Sequence, residues 1–135
     1  MNIFHKTIYV ITITAGIALN AQTDNSIKIK DATVVVNQND LVFSVNGLVC
    51  SFCAFGLQKG LSKLDWIDKS RHEKGVFADI NNQYVKVAMI SGKEKKVQDA
   101  IDIIKSSGYE VFDYYINPDG KLTQQFKVGE NTHEK

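Results

Sequence analysis

Between Asp40 and Ile116 the spacing of apolar positions switches repeatedly between two periods. In "LVFSVNG" (41–47) Leu41, Phe43 and Val45 alternate with polar or smaller residues, the pattern of a half-buried strand. From Cys53 onward the interval lengthens: Ala54, Leu57, Leu61 and Leu64 recur at helical spacing, while Gln58, Lys59, Ser62 and Lys63 take the opposite side. That predicts a helix over roughly 52–64, in spite of Gly56 and Gly60, which each cost about 1 kcal/mol relative to alanine and so imply close packing. "DWIDKSRHEKG" (65–75) reads as a charged connection with Trp66 and Ile67 as core anchors. "VFADI" (76–80) and "YVKVAMI" (84–90) flank Asn81-Asn82-Gln83 and read as a β-hairpin. Val97, Ala100, Ile101 and Ile104 then form one stripe within residues 91–108, and Gly108 supplies the helix stop. "YEVFDYYI" (109–116) is a last strand, closed by the turn residues Asn117-Pro118-Asp119-Gly120.

The resulting order is β-α-β-β-α-β, an α+β class in the ferredoxin-like arrangement: a four-stranded antiparallel sheet with two helices on one face, the two layers forming a sandwich. Residues 40–116 form this unit. Residues 22–39 are an N-terminal extension in which Ile27 and Ile29 alternate and Val34-Val35-Val36 run together, enough for one extra strand. Residues 117–135 are a C-terminal extension, with a short strand around Leu122 to Val128 and then a tail.

The first 21 residues have a different character. One lysine, Lys6, precedes an apolar run from Ile8 to Leu19, and Leu19-Asn20-Ala21 ends on a small residue, the layout of a secretory signal peptide cleaved after Ala21. The run is too short for the roughly 20 residues that span a bilayer, so no stable membrane insertion is expected after cleavage. The mature chain is expected to be secreted, and periplasmic in a cell with two membranes. The whole chain of 135 residues carries 16 basic and 15 acidic residues; without the leader the two balance. A neutral surface is a poor match for nucleic acid, which needs a surplus of Lys and Arg. No Ser-His-Asp set, paired-acid motif or phosphate-cradling glycine loop occurs, so hydrolytic or transferase chemistry has no support and the protein is not expected to be an enzyme.

The chemistry lies in "GLVCSFCAFGLQKGL", which places both cysteines of the chain, Cys50 and Cys53, where the first strand meets the first helix. Unpaired N–H groups and the helix dipole favour an anionic sulfur there. Two thiolates suit Cu(I), Zn(II) or Hg(II) and do not suit Ca(II) or Mg(II), but they are too few for a closed structural zinc site. A C-x-x-C pair at a helix start also serves thiol–disulfide oxidoreductases. Against that use, no proline lies between the cysteines and no aromatic residue immediately precedes Cys50. A disulfide without further role is the third reading, though so short a loop adds little stability. His72, in the charged connection, joins the sulfurs only if that segment folds back. Phe52 and Phe55 either shield the sulfurs or form part of a docking surface.

"NGLVCSFCAFGLQKGL", followed some way on by "AIDIIKSSGYEV", resembles the heavy-metal-associated domain family, which opens on Gly-Met-Thr-Cys-x-x-Cys and ends its second helix in a Gly-Tyr or similar pair. The resemblance covers Asp40 to Ile116, and with an export signal it is most similar to secreted mercury- or copper-binding members. It implies Cys50 and Cys53 as ligands to one soft metal ion, Cu(I) first, with Zn(II) or Hg(II) as alternatives. It further implies Tyr109 beside the site as a shield, Gly47 as the tight exit from the first strand, and a monomer that sequesters its ion or passes it by ligand exchange to a metal transporter or another carrier. Leu48 and Val49 stand where the family has methionine and threonine, which keeps an apolar anchor and removes a thioether and a hydroxyl.

Overall fold

The computed structural model describes residues 24–129. The expected leader, with His5, and the end of the tail, with His133, lie outside the described residues. Nine elements follow in chain order: strands β1 (Ser26–Ile29), β2 (Ala32–Val35) and β3 (Asp40–Asn46), helix α1 (Ser51–Leu61), strands β4 (Val76–Asp79) and β5 (Tyr84–Ala88), helix α2 (Val97–Ser106), and strands β6 (Glu110–Ile116) and β7 (Gln124–Lys127).

The β3-α1-β4-β5-α2-β6 unit is the predicted α+β, ferredoxin-like arrangement, with strand order β4-β5-β3-β6. Every pairing in the sheet is antiparallel. β7 adds a fifth strand on the β6 edge, where Tyr114 and Phe126 stack with ring centroids 5.0 Å apart. The sheet is therefore wider than the four strands read from the sequence, because the short strand near Leu122 to Val128 pairs instead of ending free.

β3 is central, paired on both sides, and buried on both faces. Leu41, Phe43 and Val45 point towards the helices and pack with Leu48, Leu57, Leu61, Trp66, Ile101 and Ile104. Trp66 and Ile67 are core anchors, as their apolar character in a charged segment predicts. On the other face, Val42 and Tyr84 are covered by Ile29, Val34 and Val36. That cover is an N-terminal hairpin, β1-β2, and not the single strand expected from residues 22–39. Lys30 makes the turn with φ +50°, a conformation usually signalled by Gly or Asn, so the sequence did not mark it. The hairpin is tied down by Lys86 Nζ, which donates to the Val35 carbonyl at 2.7 Å, and by Asn117 Nδ2, which donates to the Val36 carbonyl at 2.8 Å.

Helix limits are tighter than the apolar stripes suggest. α1 stops at Leu61 because the Ser62 hydroxyl and N–H both return to the Gln58 carbonyl, while Leu64 still packs on the core from a turn. α2 starts only at Val97, without a side-chain cap. Gly60 has the close packing predicted for it: a Cβ there would lie 3.2 Å from Ile103 Cγ2 on α2. Gly56 does not, since nothing lies within 4 Å of the corresponding position. Among the described residues no helix is long and apolar enough to cross a membrane.

Candidate metal centre

β3 delivers the chain to one end of the sheet. An irregularity between Ser44 and Val45 bends its last residues, and Gly47 follows with φ +95°. A side chain at Gly47 would be strained by that backbone angle, and its Cβ would lie 3.6 Å from Tyr109 Cδ1. Tyr109, half-buried against the main core, thus backs the base of the loop. Leu48 turns inward and is wholly buried. Val49 turns outward.

Cys50 is the N-cap of α1, in extended conformation, and its Sγ accepts a hydrogen bond from the Cys53 N–H at 3.1 Å. The position is one that Ser, Thr, Asp or Asn ordinarily fills with oxygen. Here sulfur takes the orphan donor of the first helical turn. That turn holds no acidic residue, so the positive end of the helix dipole is left for the sulfurs. Both cysteines are partly exposed. Around them Val49, Phe52 and Phe55 are 79%, 84% and 57% exposed and form an apolar rim.

The two sulfurs are bonded to one another, so this is the oxidised form of the pair. A disulfide has no thiolate to offer a metal. After reduction, two sulfurs that share one ion at about 2.3 Å each stand at most about 4.6 Å apart. The Cα atoms, 5.3 Å apart, keep two cysteine side chains within reach of that separation. The donor set therefore fits a two-coordinate soft cation.

His72 does not join it. Its ring lies 6.3 Å from that of Phe77, beside the Arg71, Lys86 and Asp40 charges at the start of β3, whereas Cys50 follows the end of that strand. Six residue steps of strand, about 20 Å, separate the two ends. Among the described residues no group of three or more His, Cys, Asp or Glu side chains is placed to hold a metal ion. Burial, with Lys86 and Arg71 nearby, pushes the His72 imidazole below its ordinary value.

One residue at the site escaped sequence reading. Gln83, read only as a turn residue, sends its side chain across to Leu48: the Leu48 N–H donates to Gln83 Oε1 at 3.0 Å, and Gln83 Nε2 donates to the Leu48 carbonyl. No periodicity could have found it, because the contact joins residues 35 apart in the chain.

The chain matches no protein-family model and has no significant match among curated proteins. Among solved structures it is similar to a CopZ metallochaperone, with 22% identity over 53% of this chain and 97% of that one, at a TM-score of 0.46. It is also similar to a protein of Bacillus anthracis strain Ames assigned as copper-ion-binding, with 21% identity over 53% of this chain and 92% of that one, at a TM-score of 0.45. These likenesses concern the outline of the fold. The chemistry of Cys50 and Cys53 rests on the geometry described above.

Proposed function

We propose that this protein is a non-enzymatic carrier of one soft metal ion, of the heavy-metal-associated kind, working outside the cytoplasm after removal of residues 1–21. The observation that supports it most is the placement of both sulfurs across the first turn of α1, with Cys50 Sγ receiving the Cys53 N–H. Hydrogen bonding and the helix dipole both favour the charged form of sulfur, and the charged form is the ligand. Cu(I) is the cargo best suited to two thiolates without a third protein ligand; Zn(II) and Hg(II) are the other thiophilic ions the pair would accept.

Loading begins with reduction. A thiol reductant supplies two electrons and two protons, the S–S bond breaks and two thiols form. One Cu(I) then binds both sulfurs as their protons leave to solvent. With no third protein ligand, the ion stays open to attack by a thiolate of a metal transporter or another carrier, and transfer proceeds by exchange of one sulfur ligand at a time. The exposed Val49, Phe52 and Phe55 surround the point where such a partner must approach.

Titration of the anaerobic, reduced protein with Cu(I) in competition with a chelator tests the proposal. One ion per chain is expected, and Cys50→Ser or Cys53→Ser should each abolish tight binding. Near-native affinity in either single variant would refute a two-sulfur site. The bonded sulfurs favour one other reading, a small thiol–disulfide oxidoreductase. Insulin reduction that survives complete removal of metal would select that reading.

A further inference from the structure

We propose that Gln83 is a positioning residue, which holds the loop between β3 and α1 in the conformation that aims Cys50 along the axis of α1. For its functional consequence this rests on Cys50 and Cys53 being ligands; the positioning itself does not.

Residues 47–50 belong to no helix or strand, yet Leu48 within them is wholly buried. Its backbone N–H and carbonyl have no ladder to join, and buried backbone groups need partners. The Gln83 carboxamide answers both, accepting from the Leu48 N–H and donating to the Leu48 carbonyl. Its Nε2 also donates to the Ile80 carbonyl at 2.5 Å, which fixes the side chain within its own β4-β5 turn. Its main-chain carbonyl accepts from the Val45 N–H at 2.9 Å, just where β3 leaves regular pairing. One residue therefore ties both the end of β3 and the buried anchor of the loop to the β4-β5 turn. Cys50 is two residues further on.

The backbone of Gln83 makes the case independently. It lies at φ +56°, in the left-handed region where Gly or Asn is at home and a longer side chain is strained. Glycine would serve the turn better but would have nothing to offer Leu48. Asparagine is one methylene shorter, and glutamate when ionised can accept from the N–H but cannot donate to the carbonyl. Glutamine is the residue that supplies both bonds at this reach. A loop preset in this way needs little rearrangement to capture an ion, and it resists the movement that lets one go.

The test compares Gln83→Gly and Gln83→Glu with the wild-type full-length chain, reduced and anaerobic. Amide exchange by NMR at Leu48 is set against exchange at Phe43 and Val85 in the central strands, and Cu(I) release to a chelator is timed. In Gln83→Gly, Leu48 exchange should quicken about tenfold while Phe43 and Val85 keep their protection. Release should quicken by about tenfold as well, the scale on which groups that orient a metal ligand act. Gln83→Glu, which keeps the acceptor, should release at an intermediate rate. Unchanged Leu48 exchange overturns the proposal, and so does equal acceleration at Leu48, Phe43 and Val85, which would mark a general loss of stability. If the wild type takes up no Cu(I), the carrier function fails, and the positioning role still stands or falls on the Leu48 amide.

Discussion

Asp40 shows how much a single residue can be asked to bear at the end of the domain away from the cysteines. Its carboxylate is wholly buried, with Arg71 Nη2 at 2.5 Å, Lys86 Nζ at 3.0 Å, and the Asn37 N–H and side-chain amide at 2.9 and 3.0 Å. Burial pushes its pKa upward, but the Asn37 N–H together with Lys86 and Arg71 outweighs that, and the group is held below its ordinary value of 3.8. A depressed carboxylate contributes stability that is fully present above the unfolded pKa and is lost as pH falls through the folded one. Acid unfolding followed by circular dichroism should therefore show a loss of stability below pH ~4 that is much reduced in Asp40→Ala. At neutral pH that substitution should cost about 3 kcal/mol in urea unfolding, because it leaves two cations and an amide without their partner. A cost within ±0.5 kcal/mol, the range of an ordinary surface change, would show the cluster to be ornamental.

Among the elements, the β1-β2 hairpin changes most what the fold has to do. A four-stranded sheet with both helices on one side leaves its other face to water, and β3 would then place Val42 beside solvent. The hairpin lays Ile29, Val34 and Val36 over Val42 and Tyr84, which makes a second apolar layer. Val34→Asp places a charge in that layer and should release the hairpin at a cost of about 2 kcal/mol. Limited proteolysis is expected to open residues 24–36 in this variant, with increased binding of an apolar dye. Cu(I) affinity should stay at the wild-type level, since the loop carrying Cys50 packs into the other cluster through Leu48. Loss of metal binding along with the hairpin would mean that the two layers are coupled in a way the packing does not account for.

For the molecule as a whole, the question is whether the oxidised and reduced forms share one fold. Closing a loop of only four residues contributes at most about 2 kcal/mol on the chain-entropy view. A domain of this size is stable by about 5–15 kcal/mol, so reduction should leave it folded. The reduced protein should accordingly keep its far- and near-ultraviolet circular dichroism and a cooperative melt, and it should bind one Cu(I). The oxidised protein should bind none. Two electrons per chain should convert one behaviour into the other, as a thiol count before and after reduction will show. A reduced form that loses its near-ultraviolet signal would make the disulfide a structural staple and not a gate.

Local pattern was enough for most of the architecture. The alternation of Leu41, Phe43 and Val45, the stripe of Ala54, Leu57 and Leu61, and the run Val97 to Ile104 each report which side of an element is buried, and burial of one side is what fixes a strand or a helix. The spacing of Cys50 and Cys53 likewise carried its own chemistry, because residues three apart at a helix start must share its first turn. What the sequence could not decide were the contacts between distant residues. Lys30 turns a hairpin although it is neither Gly nor Asn, Gln124–Lys127 finds an edge to pair with, and Gln83 reaches Leu48 across the end of the sheet. In each case the stabilising partner lies elsewhere in the chain, and only the folded molecule brings it within the few ångströms at which a hydrogen bond or an apolar contact acts.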